Sequence, residues 1–220
     1  MDKLLIVSAT ETECEPVLRE MAGCRTISPC LYSGTLQGQL VDVLISGIGG
    51  VTTTFRLTQT LMQGSYSRAI SIGIAGSFAE NISIGETVQI TEDCFADLGI
   101  DNNGQFHSLR EAGLNGDDLD GDFIINPFPV QSLHRKVRGI TVQTASGSQQ
   151  RIEALVGKFH PHVETMENAA FFYVCQQTGV PFASFRAISN RVEPRNPGNW
   201  RIAEAVESIY QSLVCLLHCF

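Results

Sequence analysis

Short apolar runs alternate with helical periodicity along most of the 220 residues. Lys3–Ser8 carries a central apolar run and predicts a buried strand. Glu11–Met21 predicts a helix, because Thr10 stands where an N-cap belongs and Glu13 follows at capping-box spacing. Leu31–Thr35 and Leu40–Ser46 flank a Leu-Gln-Gly-Gln turn and predict a hairpin. Val51–Met62 predicts a second helix, and Ala69–Ile74 one continuous strand buried on both faces. Glu86–Thr91 and Gly139–Thr144 predict further strands, and Ser148–Phe159 a helix. His162–Met166 predicts a short strand running into the helix Glu167–Gln177. Phe182–Ile188 predicts a strand, and Trp200–Leu217 the last helix. Ile100–Pro129 has no clear period and is rich in Gly, Asn and Asp, so it reads as a long loop or insertion.

This alternation predicts an α/β sandwich around a mainly parallel sheet, which the early hairpin makes mixed. No repeat or linker divides the chain, so one domain over residues 1–220 is expected. At 43% hydrophobic and 17% charged, the composition argues against disorder. The formal net charge is −8, with three lysines (Lys3, Lys136 and Lys158), which disfavours nucleic acid as a partner. No apolar stretch reaches membrane-spanning length, so no membrane partner is expected. The N-terminal apolar run is too short for a secretion signal. Together with seven cysteines and no Cys-x-x-Cys, this predicts free thiols in a reducing cytoplasm, most of them small core residues.

Several short motifs are incomplete. Gly47-Ile48-Gly49-Gly50-Val51-Thr52 follows a predicted strand and opens a helix, yet Thr52 replaces the third glycine of a dinucleotide fingerprint. A phosphate or sugar edge could sit there, but a tight strand–helix turn is the reading this motif alone favours. Asp118-Leu119-Asp120-Gly121-Asp122 imitates an EF-hand start, but Phe123 and Pro129 fall where the turn glycine and bidentate glutamate belong. His160-Pro161-His162 has no further ligands nearby in sequence, so no metal site is expected.

Three segments fall where the pattern puts strand ends: Ala9–Glu13, Glu164–Ala170 and Arg186–Asn190. In open α/β sheets such ends hold the ligand. With Ser46–Gly49 and Ala75-Gly76, they resemble the nucleoside phosphorylase/nucleosidase superfamily over about residues 3–215. The resemblance implies a three-layer α/β/α sandwich with a mixed, partly barrel-like sheet. Within the superfamily, Val163–Glu167 and Ser189–Arg195 followed by Trp200 are most similar to the futalosine hydrolases of menaquinone biosynthesis.

The resemblance implies a purine nucleoside substrate, no metal or organic cofactor, and commonly a homodimer. Glu13 matches the acid/base that activates water, in preference to Glu11. Its alternative role is capping the first helix. Glu167 matches the carboxylate that grips the ribose hydroxyls, with Met166 packing on the sugar. A helix-start glutamate and a core methionine are compatible alternatives. Ile48, Ala75 and Gly76 are expected among the substrate contacts. Asn190 stands where adenine-specific relatives carry Asp. An amide can donate to N7 and to a 6-oxo oxygen, so it points to a 6-oxopurine such as hypoxanthine, whereas a turn Asn is the plainer reading. Asn cannot supply a full proton, which leaves part of leaving-group assistance to another group or to water. Arg191 or Arg195 is a candidate partner for a substrate carboxylate, and Trp200 for an aryl ring. Both assignments rest on residue type and loop position. Neither Gly47–Thr54 nor Ala75–Phe78 carries an arginine, which favours water over phosphate as nucleophile; Arg19 and Arg25 have no assigned place in the pattern. Rival readings are a methylthioadenosine/S-adenosylhomocysteine nucleosidase, a purine nucleoside phosphorylase, and a nucleoside-binding module without catalysis.

Overall fold

A computed structural model describes residues 3–114, 122–194 and 196–218. Thirteen strands and five α-helices alternate among them. The strands are β1 (Leu4–Ser8), β2 (Ala22–Ser28), β3 (Leu31–Leu36), β4 (Gln39–Ile45), β5 (Arg68–Ser71), β6 (Ile74–Ser77), β7 (Thr87–Asp93), β8 (Gly99–Asn102), β9 (Gln105–Ser108), β10 (Ile124–Ile125), β11 (Arg135–Thr141), β12 (Val163–Thr165) and β13 (Phe182–Arg191). The helices are α1 (Glu11–Glu20), α2 (Gly50–Gln63), α3 (Gln149–Phe159), α4 (Asn168–Thr178) and α5 (Ile202–Leu217).

Eleven strands form one mixed sheet in the order β10-β7-β11-β12-β6-β13-β5-β1-β4-β3-β2, and β7 also pairs with β13. That extra pairing closes β7, β11, β12, β6 and β13 into a ring. The sheet is therefore open at one end and barrel-like at the other. Helices α1 and α5 pack together on one side, and α2 and α4 on the other. This is the expected three-layer sandwich. The core divides accordingly: Ile6, Val43, Phe185 and Ile209 belong to the α1/α5 side, and Leu57, Phe171, Phe172 and Phe182 to the α2/α4 side.

The capping box at α1 forms as predicted. Several expectations need correction. Ala69–Ile74 is not one strand, because the chain breaks after Ser71 and resumes as β6 at Ile74. A Cβ on Gly73 would come within 2.8 Å of Glu13 Oε1, so the break is where a carboxylate approaches the backbone. β11 lies earlier than Gly139–Thr144, and β13 runs past Ile188 to Arg191. β2 was not anticipated. It is an almost wholly exposed edge strand, without the alternation that marks a half-buried one. The expected long loop contains the β8–β9 hairpin and β10. Asp118 and Asp120 of the EF-hand-like stretch, and Cys219, lie outside the described residues.

Among the described cysteines, Cys14, Cys94 and Cys175 are buried, whereas Cys24 and Cys215 are exposed and Cys30 is intermediate. Core placement thus holds for half of these six. His162 accepts the Arg138 backbone N–H at its Nδ1, and His160 is the left-handed C-cap of α3. No helix among the described residues is long and apolar enough to cross a membrane.

Phe182 is fully buried, edge-on to Phe171 with ring centroids 5.8 Å apart and tilted to Phe172 at 4.8 Å. Replacing it with Ala should destabilise the fold by about 3–5 kcal/mol, read as a lower urea midpoint.

Candidate active site

The first strand delivers Glu13. Leu4–Ser8 is buried between β4 and β5, and two residues, Ala9 and Thr10, separate its end from the start of α1. Thr10 caps that helix by accepting the Glu13 N–H at 3.3 Å, while its own N–H and hydroxyl donate to Glu13 Oε2 at 3.0 and 2.9 Å. The other oxygen, Oε1, accepts the Ile74 N–H at 3.1 Å. Capping and cavity lining are therefore met by one side chain: Oε2 is held by the cap and Oε1 by the start of β6.

Glu167 is delivered by β12. It is the N-cap of α4, but its carboxylate does not cap that helix. It turns to α2 and accepts the Gly49 N–H at 2.8 Å. Gly49 is itself the N-cap of α2 and has φ of +89°, a conformation open to glycine at low cost. The incomplete dinucleotide motif thus presents a helix N-terminus to a carboxylate of the same chain. With Glu167 turned away, hydroxyls hold the start of α4. Thr165 Oγ1 accepts the Asn168 N–H at 3.3 Å, and Thr141 Oγ1 accepts the Ala169 N–H at 2.8 Å.

A buried polar chain lies beneath both carboxylates. Arg186 is 3% exposed; it donates to Ser71 Oγ at 2.9 Å, the Phe185 carbonyl at 2.9 Å and Ser184 Oγ at 3.2 Å. Ser184 donates to Asn168 Oδ1, and Asn168 Nδ2 donates to Asp93 Oδ2 at 2.9 Å. Thr141 donates to Asp93 Oδ1 at 2.9 Å. Burial pulls the Arg186 pKa below its usual range, while the charges of Glu167, Glu13 and Asp93 oppose that fall. Burial raises Glu167, and the Gly49 N–H and Arg186 charge counter it. Burial also pushes Asp93 up to about 7.

At the end of β13, a bulge places both Ser189 and Asn190 beside Gly76 of β6. Asn190 Nδ2 donates to the Arg191 carbonyl at 2.8 Å, and Ser189 Oγ donates to Asn190 Oδ1 at 2.8 Å. A carbonyl can only accept, so it fixes which end of the amide is nitrogen. One amide hydrogen is therefore already engaged and one is left for a ligand, where the sequence reading allowed two.

These groups share a cavity of about 400 Å³, ordinary for a small-molecule site. Glu13, Met166, Glu167 and Asn190 line it, as do Ile48, Ala75 and Gly76. Arg191, the last residue of β13, and Trp200, in the segment beyond that strand, line it as well. Arg191 is anchored rather than free: its Nη1 donates to the Ala79 carbonyl and its Nη2 to the Glu80 carbonyl at 3.1 Å. Arg195 lies outside the described residues. Residue types pointed to the charged and amide side chains. They did not point to the backbone donors of Gly49 and Ile74 or to the buried work of Arg186, because a backbone N–H has no signature of its own in sequence. Among the described residues, no group of three or more His, Cys, Asp or Glu is placed to hold a metal ion.

The model of the phosphorylase superfamily matches residues 3–216. The chain belongs to that superfamily. It is 29% identical over 192 residues to the futalosine hydrolase of Thermus thermophilus, covering 83% of each chain. It is 30% identical over 200 residues to the 5′-methylthioadenosine/S-adenosylhomocysteine nucleosidase of Anoxybacillus flavithermus, covering 85% of this chain and 84% of that one. Among solved structures, Helicobacter pylori futalosine hydrolase superposes with a TM-score of 0.81 at 18% identity, over 100% of this chain and 98% of that one. That likeness establishes the superfamily fold. The two sequence identities do not separate one kind of nucleosidase from the other.

The elevated Asp93 pKa has a testable sign. The folded state binds this proton more tightly than the unfolded chain, whose carboxyl stays near 3.8. The destabilisation from ionised Asp93 is therefore complete above about 7 and is relieved as pH falls toward 3.8. Urea unfolding of wild type and Asp93→Asn should show wild type gaining stability relative to the variant between pH 8 and pH 5. A pH-independent difference would contradict the assignment.

Proposed function

We propose that this chain hydrolyses the N-glycosidic bond of futalosine, releasing hypoxanthine, with water as the nucleophile. Asn190 carries the choice of base. Its orientation is set by Ser189 and the Arg191 carbonyl, and its remaining N–H can be shared between N7 and the 6-oxo oxygen of a purine. An aspartate there would face that oxygen with an acceptor. Glu13 receives the proton of the attacking water through a carboxylate already positioned by Thr10 and Ile74. Glu167, held by Gly49, accepts from the ribose hydroxyls, and Met166 packs on the sugar. Departure of the base leaves an oxocarbenium-like sugar, which bonds the hydroxide oxygen of the attacking water, while the purine anion, hydrogen-bonded by Asn190, takes its proton from solvent water. Arg191 and Trp200 border the segment expected to cover the 5′ substituent.

Water is favoured over phosphate by the cavity's charge. Glu13, Glu164, Glu167 and Glu193 line it, and Arg191, the arginine among the described lining residues, is committed to backbone carbonyls. Phosphate would need several free cationic donors. Arg19, which the sequence left without a place, pairs on the surface with Glu15 and Glu20 at 3.1 and 3.2 Å.

The active form is a cytoplasmic homodimer. Ile48, Phe55 and Met62 are 62%, 68% and 76% exposed at heptad spacing, with Val51 beside them at 80%. This apolar stripe begins at the cavity, and so large a contiguous patch is a normal mark of an interface. Methylthioadenosine/S-adenosylhomocysteine hydrolysis is the second reading, favoured by the 30% identity to a nucleosidase of that name.

Incubation without phosphate should release hypoxanthine from futalosine and no adenine from methylthioadenosine, followed by chromatography of the free base. Glu13→Gln should lower kcat by about 10²–10⁴-fold. Asn190→Asp should reduce the kcat/KM preference for 6-oxo over 6-amino nucleosides, and an unchanged ratio would reject the role given to the amide.

A further inference from the structure

The reaction as described gives no task to Glu164, although this carboxyl is only 8% exposed and lines the same cavity. Its place in the sheet is informative. On β12 it stands in register with Gly76 of β6, and Gly76 stands in register with Asn190 of β13. Paired positions on neighbouring strands face the same side of a sheet. Glu164, Gly76 and Asn190 thus form a row on the cavity wall. The middle position has no side chain, and a Cβ there would lie 2.8 Å from Val192 Cγ2 and 3.3 Å from Asn190 Nδ2. Val192 and the Asn190 amide lean over that middle position, and the carboxyl and the amide come from strands two interstrand spacings apart, about 9–10 Å between backbones.

The carboxyl is held in place yet still has acceptor capacity. Oε1 accepts the Ser146 N–H at 2.9 Å and Oε2 accepts the Ser146 hydroxyl. A carboxylate has about four acceptor positions, so each oxygen keeps one. Its charge is not neutralised by a paired cation. Arg151, the nearby cation, donates to Asp97 Oδ2 and to the Thr144 carbonyl, both at 3.2 Å. Burial raises the Glu164 pKa, and the two Ser146 hydrogen bonds oppose the rise. A buried carboxyl with unused acceptors, facing a ligand cavity, calls for a donor from the ligand.

The two kinds of purine differ on the edge that would face this row across the cavity. A 6-oxopurine offers acceptors at N7 and O6 and a donor at N1–H. A 6-aminopurine offers an acceptor at N1. We propose that Glu164 is a second specificity-determining residue, its carboxylate accepting the N1–H of a 6-oxopurine whose N7 and O6 face the Asn190 amide. The amide reads one end of the edge and the carboxylate the other. A 6-aminopurine would oppose a lone pair to the carboxylate, an arrangement a buried site rejects strongly. The inference rests on the purine-nucleoside reading of the cavity, but not on the hydrolytic step.

Binding of free bases tests it without requiring turnover. Calorimetry on wild type should show hypoxanthine bound more tightly than adenine, and 1-methylhypoxanthine, which lacks the N1–H, bound at least tenfold more weakly than hypoxanthine. Glu164→Gln keeps the side-chain shape and can accept from Ser146. It should weaken hypoxanthine by about 10–100-fold, the range for a hydrogen bond to a charged group, and leave adenine unchanged or tighter, since its amide can donate to N1. Ser146→Ala loosens the carboxylate without removing it and should weaken hypoxanthine by a smaller factor than Glu164→Gln does, with adenine unchanged or tighter. Equal weakening of both bases by Glu164→Gln, with wild type still preferring hypoxanthine, would make Glu164 an anchor for the Ser146 loop and overturn the proposal alone. A wild-type preference for adenine would overturn it together with the choice of futalosine. Hypoxanthine binding of the expected pattern without release of base from futalosine would leave the proposal standing and remove the hydrolase.

Discussion

Two carboxylates, Glu13 and Glu167, meet in one small cavity, and each interacts unfavourably with the charge of the other. Arg186 supplies the positive charge that lets them coexist. A buried guanidinium is costly unless its donors find partners, and here two serine hydroxyls and a backbone carbonyl accept three hydrogen bonds from it. Those partners come from β5 and from β13 itself. β13 is also the strand that pairs with both β6 and β7 and closes the barrel-like part of the sheet. Charge balance and strand closure therefore depend on the same segment. A change that opens β13 from β7 would expose the cation, and a change that removes the cation would leave two half-buried acids without it.

Each carboxylate is further held by a backbone donor that arrives from a distant element. Glu13 meets the Ile74 N–H, and Glu167 meets the Gly49 N–H. Both contacts require the backbone to come unusually close or to turn unusually. Gly73 has no Cβ to block Glu13, and Gly49 adopts a left-handed conformation at the head of α2. These positions order the site without touching a ligand. They fix where the carboxylates point before any substrate arrives, which lowers the reorganisation needed at the moment of reaction.

What could be read from the sequence follows from this division. The capping box of α1 was legible because its partners sit three residues apart. The alternation of strands and helices was legible because each buried element carries its own apolar pattern. The break between β5 and β6 was not. It answers a carboxylate 60 residues earlier in the chain, and Ala69–Ile74 reads as continuous without that knowledge. β2 was missed because an exposed edge strand need not alternate. Among site residues, Glu13, Glu167 and Asn190 stood out by type and place. The role of Gly49 was hidden inside a motif that pointed to a nucleotide, and Arg191 looked like a free cation until its donors were found on the Ala79 and Glu80 carbonyls.

The sign of the cavity then constrains the chemistry beyond any single residue. Four glutamates line it, and its arginine among the described residues is engaged elsewhere. Two unit charges about 5 Å apart interact by about 3 kcal/mol at an effective dielectric near 20. An anionic nucleophile would have to enter against several such terms. A sugar that becomes cationic as the base departs gains from the same terms, and gains most where its charge is largest, in the transition state. A neutral water suffers no comparable repulsion and needs only one of these carboxylates to accept its proton. The acidic lining that would hinder a phosphorylase is thus the lining that suits a hydrolase, and the buried Arg186 guanidinium, which is not among the lining residues, offsets its charge from behind.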